Sequence, residues 1–150
     1  MYTISSNGVL ITEQFEGFIP HPYQKPGDIP TIGYGTTFYP GGRKVTMQDP
    51  SITRQQGLSY LLNYMNVLVS PILNNHVTFP LNQNQVDSLA DFIYNEGSGG
   101  FIGSHLLVAI NSNAGQGAIS AEFRKWVYFN HQVDQVLVQR REGEIKLFFS

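Results

Sequence analysis

A chain of 150 residues has the length of one domain and can bury roughly two-thirds of its unfolded surface, and its 41% hydrophobic content excludes disorder by composition. Nine basic and eleven acidic residues leave a net charge of −2, which argues against a nucleic-acid binder and leaves any steering of a ligand to local patches. Charged residues make up 13% of the chain against a usual ~25%, so each charge in a core or cleft weighs more as a candidate.

The first residues, Met1 to Gly8, lack the basic start and long apolar core of a signal peptide. No run approaches the ~18 apolar residues of a membrane span, so synthesis in the cytoplasm is the expectation. Without cysteine there is neither a disulfide nor a thiolate zinc site. Ser5 or Ser6 is placed to cap a first helix running to about Phe15, with Val9, Leu10, Ile11 and Phe15 apolar and Gly17 ending it. Residues 18–30 hold Pro20, Pro22, Pro26, Pro30 and Gly27 and read as an irregular loop. Thr31–Tyr39 and Arg43–Thr46 read as a hairpin turned at Pro40-Gly41-Gly42.

The remainder has helical patterning. Thr53 caps a run to about Leu68, and Asn82 with Gln85 forms a capping box before Val86, Leu89, Phe92 and Ile93. Gly97 to Gly100 is expected to stop that helix, and Ser104 to cap a short one over Leu106–Ile110. Ala118–Tyr128 and Val133–Phe149 complete the set. The expected architecture is a single domain over 1–150, α+β but mostly α. A β-lobe (about 17–50) folds over a helical lobe (about 1–16 plus 51–150), with a cleft between them.

Glu16 stands at the end of the first apolar stretch, 15 residues before Thr31-Ile32-Gly33-Tyr34-Gly35. An acid facing a Gly-rich strand across a turn is the layout of a site that cleaves sugars, where a proton must reach the leaving oxygen of the glycosidic bond. Shielded by Phe15 and Phe18, Glu16 is expected to hold its proton near neutral pH; the plainer alternative is a solvated surface glutamate. Gly33 and Gly35 either let a flat sugar approach the backbone or serve packing. Tyr34 and Tyr94 either line the cleft or sit in the core. The histidines at 21, 76, 105 and 131 lack ligand spacing, and no nucleotide fingerprint is present, so neither metal nor cofactor is expected.

The segment Phe15-Glu16-Gly17, Tyr23, Pro30 to Gly35 resembles the signature of phage-type lysozymes, the muramidase endolysins. Further matches follow in order: Leu81 to Leu89, Phe92 to Gly97, Phe101 with Ser104 to Leu107, Phe123 with Trp126, and Leu137 to Glu144. The family's acid is followed nine residues later by an aspartate and six later by a threonine. Here those places hold Glu16, Lys25 and Thr31. Thr36 stands where the family has a histidine, a change expected to bear on the support of the hairpin.

The resemblance implies hydrolysis of the β-1,4 bond between N-acetylmuramic acid and N-acetylglucosamine in bacterial peptidoglycan, by a monomeric endolysin that a holin releases to the cell wall. It implies Glu16 as acid, Thr31 as holder of a water and Asn95 as the amide that binds an acetamido sugar. Gly33, Tyr34, Gly35, Tyr94 and Ser104 would join Asn95 in binding substrate, and Arg140 or Arg141 would brace Glu16. At the aspartate position three readings stand. Lys25 swings into solvent, Asp28 substitutes for the missing acid, or the scaffold binds peptidoglycan without cleaving it.

Overall fold

The computed structural model describes residues 1–150. Its first segment runs extended beside two later helices, with Asn66 and Asn74 each exchanging a pair of bonds with the main chain of Ile4 and Tyr2. Helix α1 covers Gly8–Phe15. Ser5 serves its start, its Oγ accepting from the main-chain N–H of Asn7 and Gly8 and donating to Asp87. Val9 and Ile11 are buried, whereas Leu10 is 45% exposed and faces away from the core. Glu16 is the first residue past the helix, its backbone extended and its N–H still bonded to the Thr12 carbonyl at 3.0 Å.

The stretch expected to be an irregular loop contains strand β1, Ile19–Tyr23, paired antiparallel with β2, Thr31–Gly33. Pro20 and Pro22 are tolerated because a two-stranded ribbon leaves one side of each strand unpaired, so a missing N–H breaks no ladder. Between the strands, Lys25-Pro26-Gly27-Asp28 makes a tight turn with Gly27 at φ +81° and Asp28 N–H bonded to the Lys25 carbonyl at 3.0 Å. The expected long hairpin is shorter and more irregular. Past β2 only single bridges persist, Ile32 to Thr36 and Phe38 to Lys44, though the turn at Pro40–Gly42 does form. Thr36 is buried there with both main-chain bonds made to Ile32 and its Oγ1 without a partner. Ile32, Tyr39 and Val45 make a small core of their own against Ile52 and Tyr60. Asp49 ties its rim, accepting from Tyr39, Arg43 and Thr46.

Helix α2, Arg54–Leu68, starts on the Thr53–Gln56 capping box, and α3, Ser70–His76, follows it almost directly. Helix α4, Gln83–Ile102, starts on the Asn82–Gln85 box and crosses the middle of the molecule. It does not stop at the glycine cluster. Gly97 alone leaves helical geometry, at φ +81° and ψ 162°, and the chain resumes its turns so that Phe101 is fully buried. Around it pack α5 (His105–Asn111, capped by Ser104), α6 (Gln116–Arg124) and α7 (Gln135–Phe148, capped by Asp134). The rings of Phe101, Phe123 and Trp126 meet Phe92 edge-on. Between α6 and α7 lies a hairpin that the helical pattern had hidden, β3 (Tyr128–Phe129) with β4 (Gln132–Val133), turned by Asn130 and His131, both at positive φ.

The two lobes meet where Tyr94 of α4 donates its phenol to the Tyr34 carbonyl at 2.6 Å. That approach requires glycine next door. Gly35 has φ +96°, and a Cβ there would lie 2.5 Å from the Tyr94 hydroxyl. Gly35→Ala is therefore expected to lose about 3 kcal/mol, from backbone strain and the broken lobe contact together. Thermal denaturation measures it, and a loss under about 0.5 kcal/mol, the range of ordinary surface changes, would show that this contact does not fix the lobes.

Candidate active site

Three helices bring charge to one place. The Arg140 guanidinium on α7 is 4% exposed and forks onto Asp91 of α4, with Nε to Oδ2 at 2.9 Å and Nη2 to Oδ1 at 2.7 Å. Its remaining nitrogen, Nη1, donates to Glu16 Oε1 at 3.0 Å, and the Phe15 ring lies under its Cζ at 5.2 Å. Burial opposes the Arg140 charge, but the bonds to Asp91 outweigh it and raise the guanidinium above its ordinary value. The same competition runs at Asp91. Burial pushes its pKa up, the Arg140 bonds pull harder, and the carboxylate ends below its ordinary 3.8. Glu16 thus has one oxygen fixed from behind while its side chain keeps 30% exposure.

That exposed face looks into a cleft of about 610 Å³ lined by Glu16, Tyr64, Leu68, Ile72, Tyr94 and Asn95 among others. Burial, with the negative charge of Glu16 next, pushes the Tyr94 phenol above its ordinary value, so it remains a neutral donor to Tyr34. Asn95 is oriented by Arg141, whose Nη2 donates to Asn95 Oδ1 at 2.7 Å. Because a guanidinium only donates, the carboxamide carbonyl is committed to it, and the Asn95 N–H₂ is left for an acceptor in the cleft.

The other sequence candidates fall in several places. Thr31 opens β2 opposite Tyr23, partly exposed, its Oγ1 donating to the Ile29 carbonyl at 3.0 Å. Lys25 and Asp28 are both exposed at the corners of the β1–β2 turn, where Gln24 Nε2 also reaches the Asp28 carbonyl at 2.6 Å. Tyr23 ends β1 just before this turn and is half-buried. Burial raises its phenol pKa first, and the charges of Glu16 and then Asp28 add to the effect. Gly33 is buried with φ +66°, facing Ile52.

Tyr34 is buried with its ring 5.1 Å from that of Phe18, and its hydroxyl donates to Glu13 at 2.8 Å rather than to the cleft. Ser104 is buried too; its Oγ donates to the Phe101 carbonyl and accepts from Leu107 N–H, which leaves it a helix cap remote from the cleft lining. Sequence reasoning gave no role to Tyr23, Tyr64 or Asp91. Tyr23 lay within the quoted signature, and Asp91, three residues after Ser88 on the apolar face of α4, carried the only available signal: a charge where the pattern calls for a core residue.

A helical lobe and a small β-lobe, with one acid presented where they join, is the architecture of the lysozyme-like glycoside hydrolases. The chain belongs to the phage lysozyme family, whose profile matches residues 13–144. It is 36% identical over 150 residues to the endolysin of Salmonella phage P22, covering 100% of both chains. Among solved structures it resembles a P22 lysozyme mutant, with a TM-score of 0.85 at 33% identity and complete coverage of both chains. The muramidase domain of SpmX from Asticaccaulis excentricus superposes with a TM-score of 0.82 at 30% identity, over 100% of this chain and 99% of that one.

Removing Arg140 leaves the Asp91 carboxylate buried without its counter-charge, so Arg140→Ala is expected to destabilise the protein by about 3–5 kcal/mol. The pH dependence has a definite sign. With its folded pKa below 3.8, Asp91 contributes stability that is present above that value and lost as pH falls through the folded one. Asp91→Asn should therefore flatten the acid side of the curve of melting temperature against pH; an unchanged acid slope would remove Asp91 from that role.

Proposed function

We propose that this chain is a peptidoglycan hydrolase of phage lysis, cleaving the β-1,4 bond between N-acetylmuramic acid and N-acetylglucosamine with Glu16 as the proton donor. The observation that carries this reading is the setting of Glu16. Its motif resembles the one that carries the family's acid, one oxygen is held by Arg140, and the other face is open to the cleft. Protonating the glycosidic oxygen from that open face lets the bond break toward an oxocarbenium-like centre, which a carboxylate on the opposite side stabilises or supplies with water. The Asn95 N–H₂ holds the acetamido carbonyl of a sugar, and Tyr64 and Tyr94 offer aromatic surface to its rings.

For the second carboxylate the reading favours Asp28 over Lys25. Both are exposed at the same turn, and of the two only Asp28 carries a carboxylate. Thr31, opposite Tyr23 on the neighbouring strand, holds the water between Asp28 and Glu16. Lys25 extends into solvent on its long stem. The 150 residues act as one domain and as a monomer. Made in the host cytoplasm, the protein reaches the wall through a holin-type membrane lesion; none of its helices is long and apolar enough to cross a membrane.

Wall turbidity together with release of reducing ends tests the reading. Glu16→Gln should fold normally and lose about 100-fold or more of the hydrolysis, the usual worth of a general acid. A Gln variant that lyses walls at the parent rate removes Glu16 from the chemistry, and a parent that pellets with walls yet frees no reducing ends is a binding scaffold instead.

The second position has its own test. If Asp28 is the second carboxylate, Asp28→Asn should cost about 10-fold or more while Lys25→Asp changes little. The opposite pattern, an intact Asp28→Asn and an activated Lys25→Asp, would assign the position to the site of Lys25.

A further inference from the structure

Behind the Asp91–Arg140 pair lies a carboxyl group that the chemistry above does not use. Glu144 of α7 is fully buried, one residue past Gly143 and one turn from Arg140 and Arg141. Its Oε1 accepts from Arg141 Nη2 at 2.9 Å, whereas its Oε2 has no donor at all. Across the α4–α7 interface stands the carboxyl of Asp91, itself an acceptor: Arg140, one turn from Glu144, forks onto it, and Ser88, three residues before it on α4, bonds the Glu144 carbonyl at 2.8 Å. Two carboxylates cannot bond one another, and a buried oxygen without a partner is costly. A single proton between them resolves both difficulties.

Charge balance asks for the same proton. Two buried guanidiniums, Arg140 and Arg141, already face the carboxylates of Glu16, Asp91 and Glu96. Elsewhere around Glu144 stand neutral groups. Ser88 of α4 donates to its main-chain carbonyl at 2.8 Å, and the buried Thr12 hydroxyl of α1 donates to Met65 Sδ at 3.9 Å. Ionising Glu144 would set a fourth carboxylate against these two guanidiniums, on an Arg141 already shared with Glu96 and Asn95.

We infer that Glu144 is a positioning residue for the hydrolysis: its carboxyl carries the proton, donates it to Asp91, and thereby holds Asp91 square on the Arg140 fork, so that Arg140 Nη1 stays aimed at Glu16. The inference rests on the reading of Glu16 as the acid. Burial pushes Glu144 well above the usual carboxyl range against the pull of Arg141, and the nearby Asp91 raises it further. Both carboxyls are fully buried, but Asp91 takes both forked bonds of Arg140 and remains its charged partner, so the proton stays on Glu144, which takes a single bond from Arg141. Glu144 never meets substrate; it acts through two side chains in series.

The test uses the full-length protein, with selective carbon-13 labelling of glutamate carboxyls and the variants Glu144→Gln and Glu144→Ala. In the folded parent the Glu144 carboxyl should titrate well above 4.5, its ordinary value. Folding holds that proton, so the Glu144 contribution to stability is full below 4.5 and is lost as pH climbs toward the folded value. An amide keeps a donor for Asp91 and an acceptor for Arg141 at every pH. Glu144→Gln should therefore stay within about threefold of the parent's kcat at the pH optimum, and its melting temperature should fall less as pH rises above 4.5. Glu144→Ala offers Asp91 no donor and should lose about 10-fold in kcat with little change in KM. A Glu144 signal that titrates at or below its ordinary value, or a Gln variant as damaged as the Ala one, overturns the inference. If Glu144→Ala fails to fold, the titration and the Gln variant still decide. Both readouts on stability are independent of Glu16, so an active Glu16→Gln would sink the catalytic reading while leaving the proton on Glu144 to be judged by its own titration.

Discussion

The fork of Arg140 on Asp91 is the constraint from which the rest of this site is built. A buried guanidinium and a buried carboxylate are each costly to remove from water, and only near-ideal paired geometry makes the arrangement tolerable. Here both forked bonds are at or under 2.9 Å, and the aspartate is wholly out of solvent. The pair leaves one guanidinium nitrogen unspent, and that nitrogen sets where Glu16 can be. Rigid positioning of the acid thus comes from a charge pair whose own stability contribution is modest. Helices α1, α4 and α7 are packed together by their apolar faces; the ion pair fixes their register to within the tolerance of a hydrogen bond.

On the far side of the cleft the small lobe is fixed by different means. Its own core holds only three buried apolar side chains, too few to stand alone. It relies on the Asp49 knot at its rim, the Ile52 N–H bonded to the Pro20 carbonyl at 2.8 Å, and the phenol of Tyr94 reaching the Tyr34 carbonyl. The glycines of the Thr31–Gly35 segment have their explanation here. They admit left-handed backbone and close contact between lobes, and neither demand involves a sugar.

How much of this could be read from residues alone depends on how local the determining interaction is. The starts of α2 and α4 were legible because a capping box spans four residues and both halves are in view, Thr53 with Gln56 and Asn82 with Gln85. Strand β1 was not, since Pro20 and Pro22 speak for a loop unless the ribbon is known to be two-stranded. The β3–β4 hairpin fell between two helical patterns, although Asn130 between aromatic and β-branched residues is a turn signal. Glu16 was legible through its motif and its helix end. The use to which Ser104 and Tyr34 put their hydroxyls, on Phe101 and Glu13, follows from tertiary neighbours and has no trace in spacing. The same holds for Asp91 and Tyr23, whose roles exist only once α4 and β1 have been brought against Glu16.

The bond from Arg140 to Glu16 joins residues 124 positions apart. During synthesis the acid emerges from the ribosome early, whereas the helix that aims it is nearly the last part of this sequence to be translated. A nascent chain therefore carries every cleft residue up to Ser98 without the brace that orders them, and any truncation short of α7 leaves Asp91 unpaired within the growing core. Incomplete copies that end short of α7 lack both the guanidinium that holds Glu16 and the one that orients Asn95.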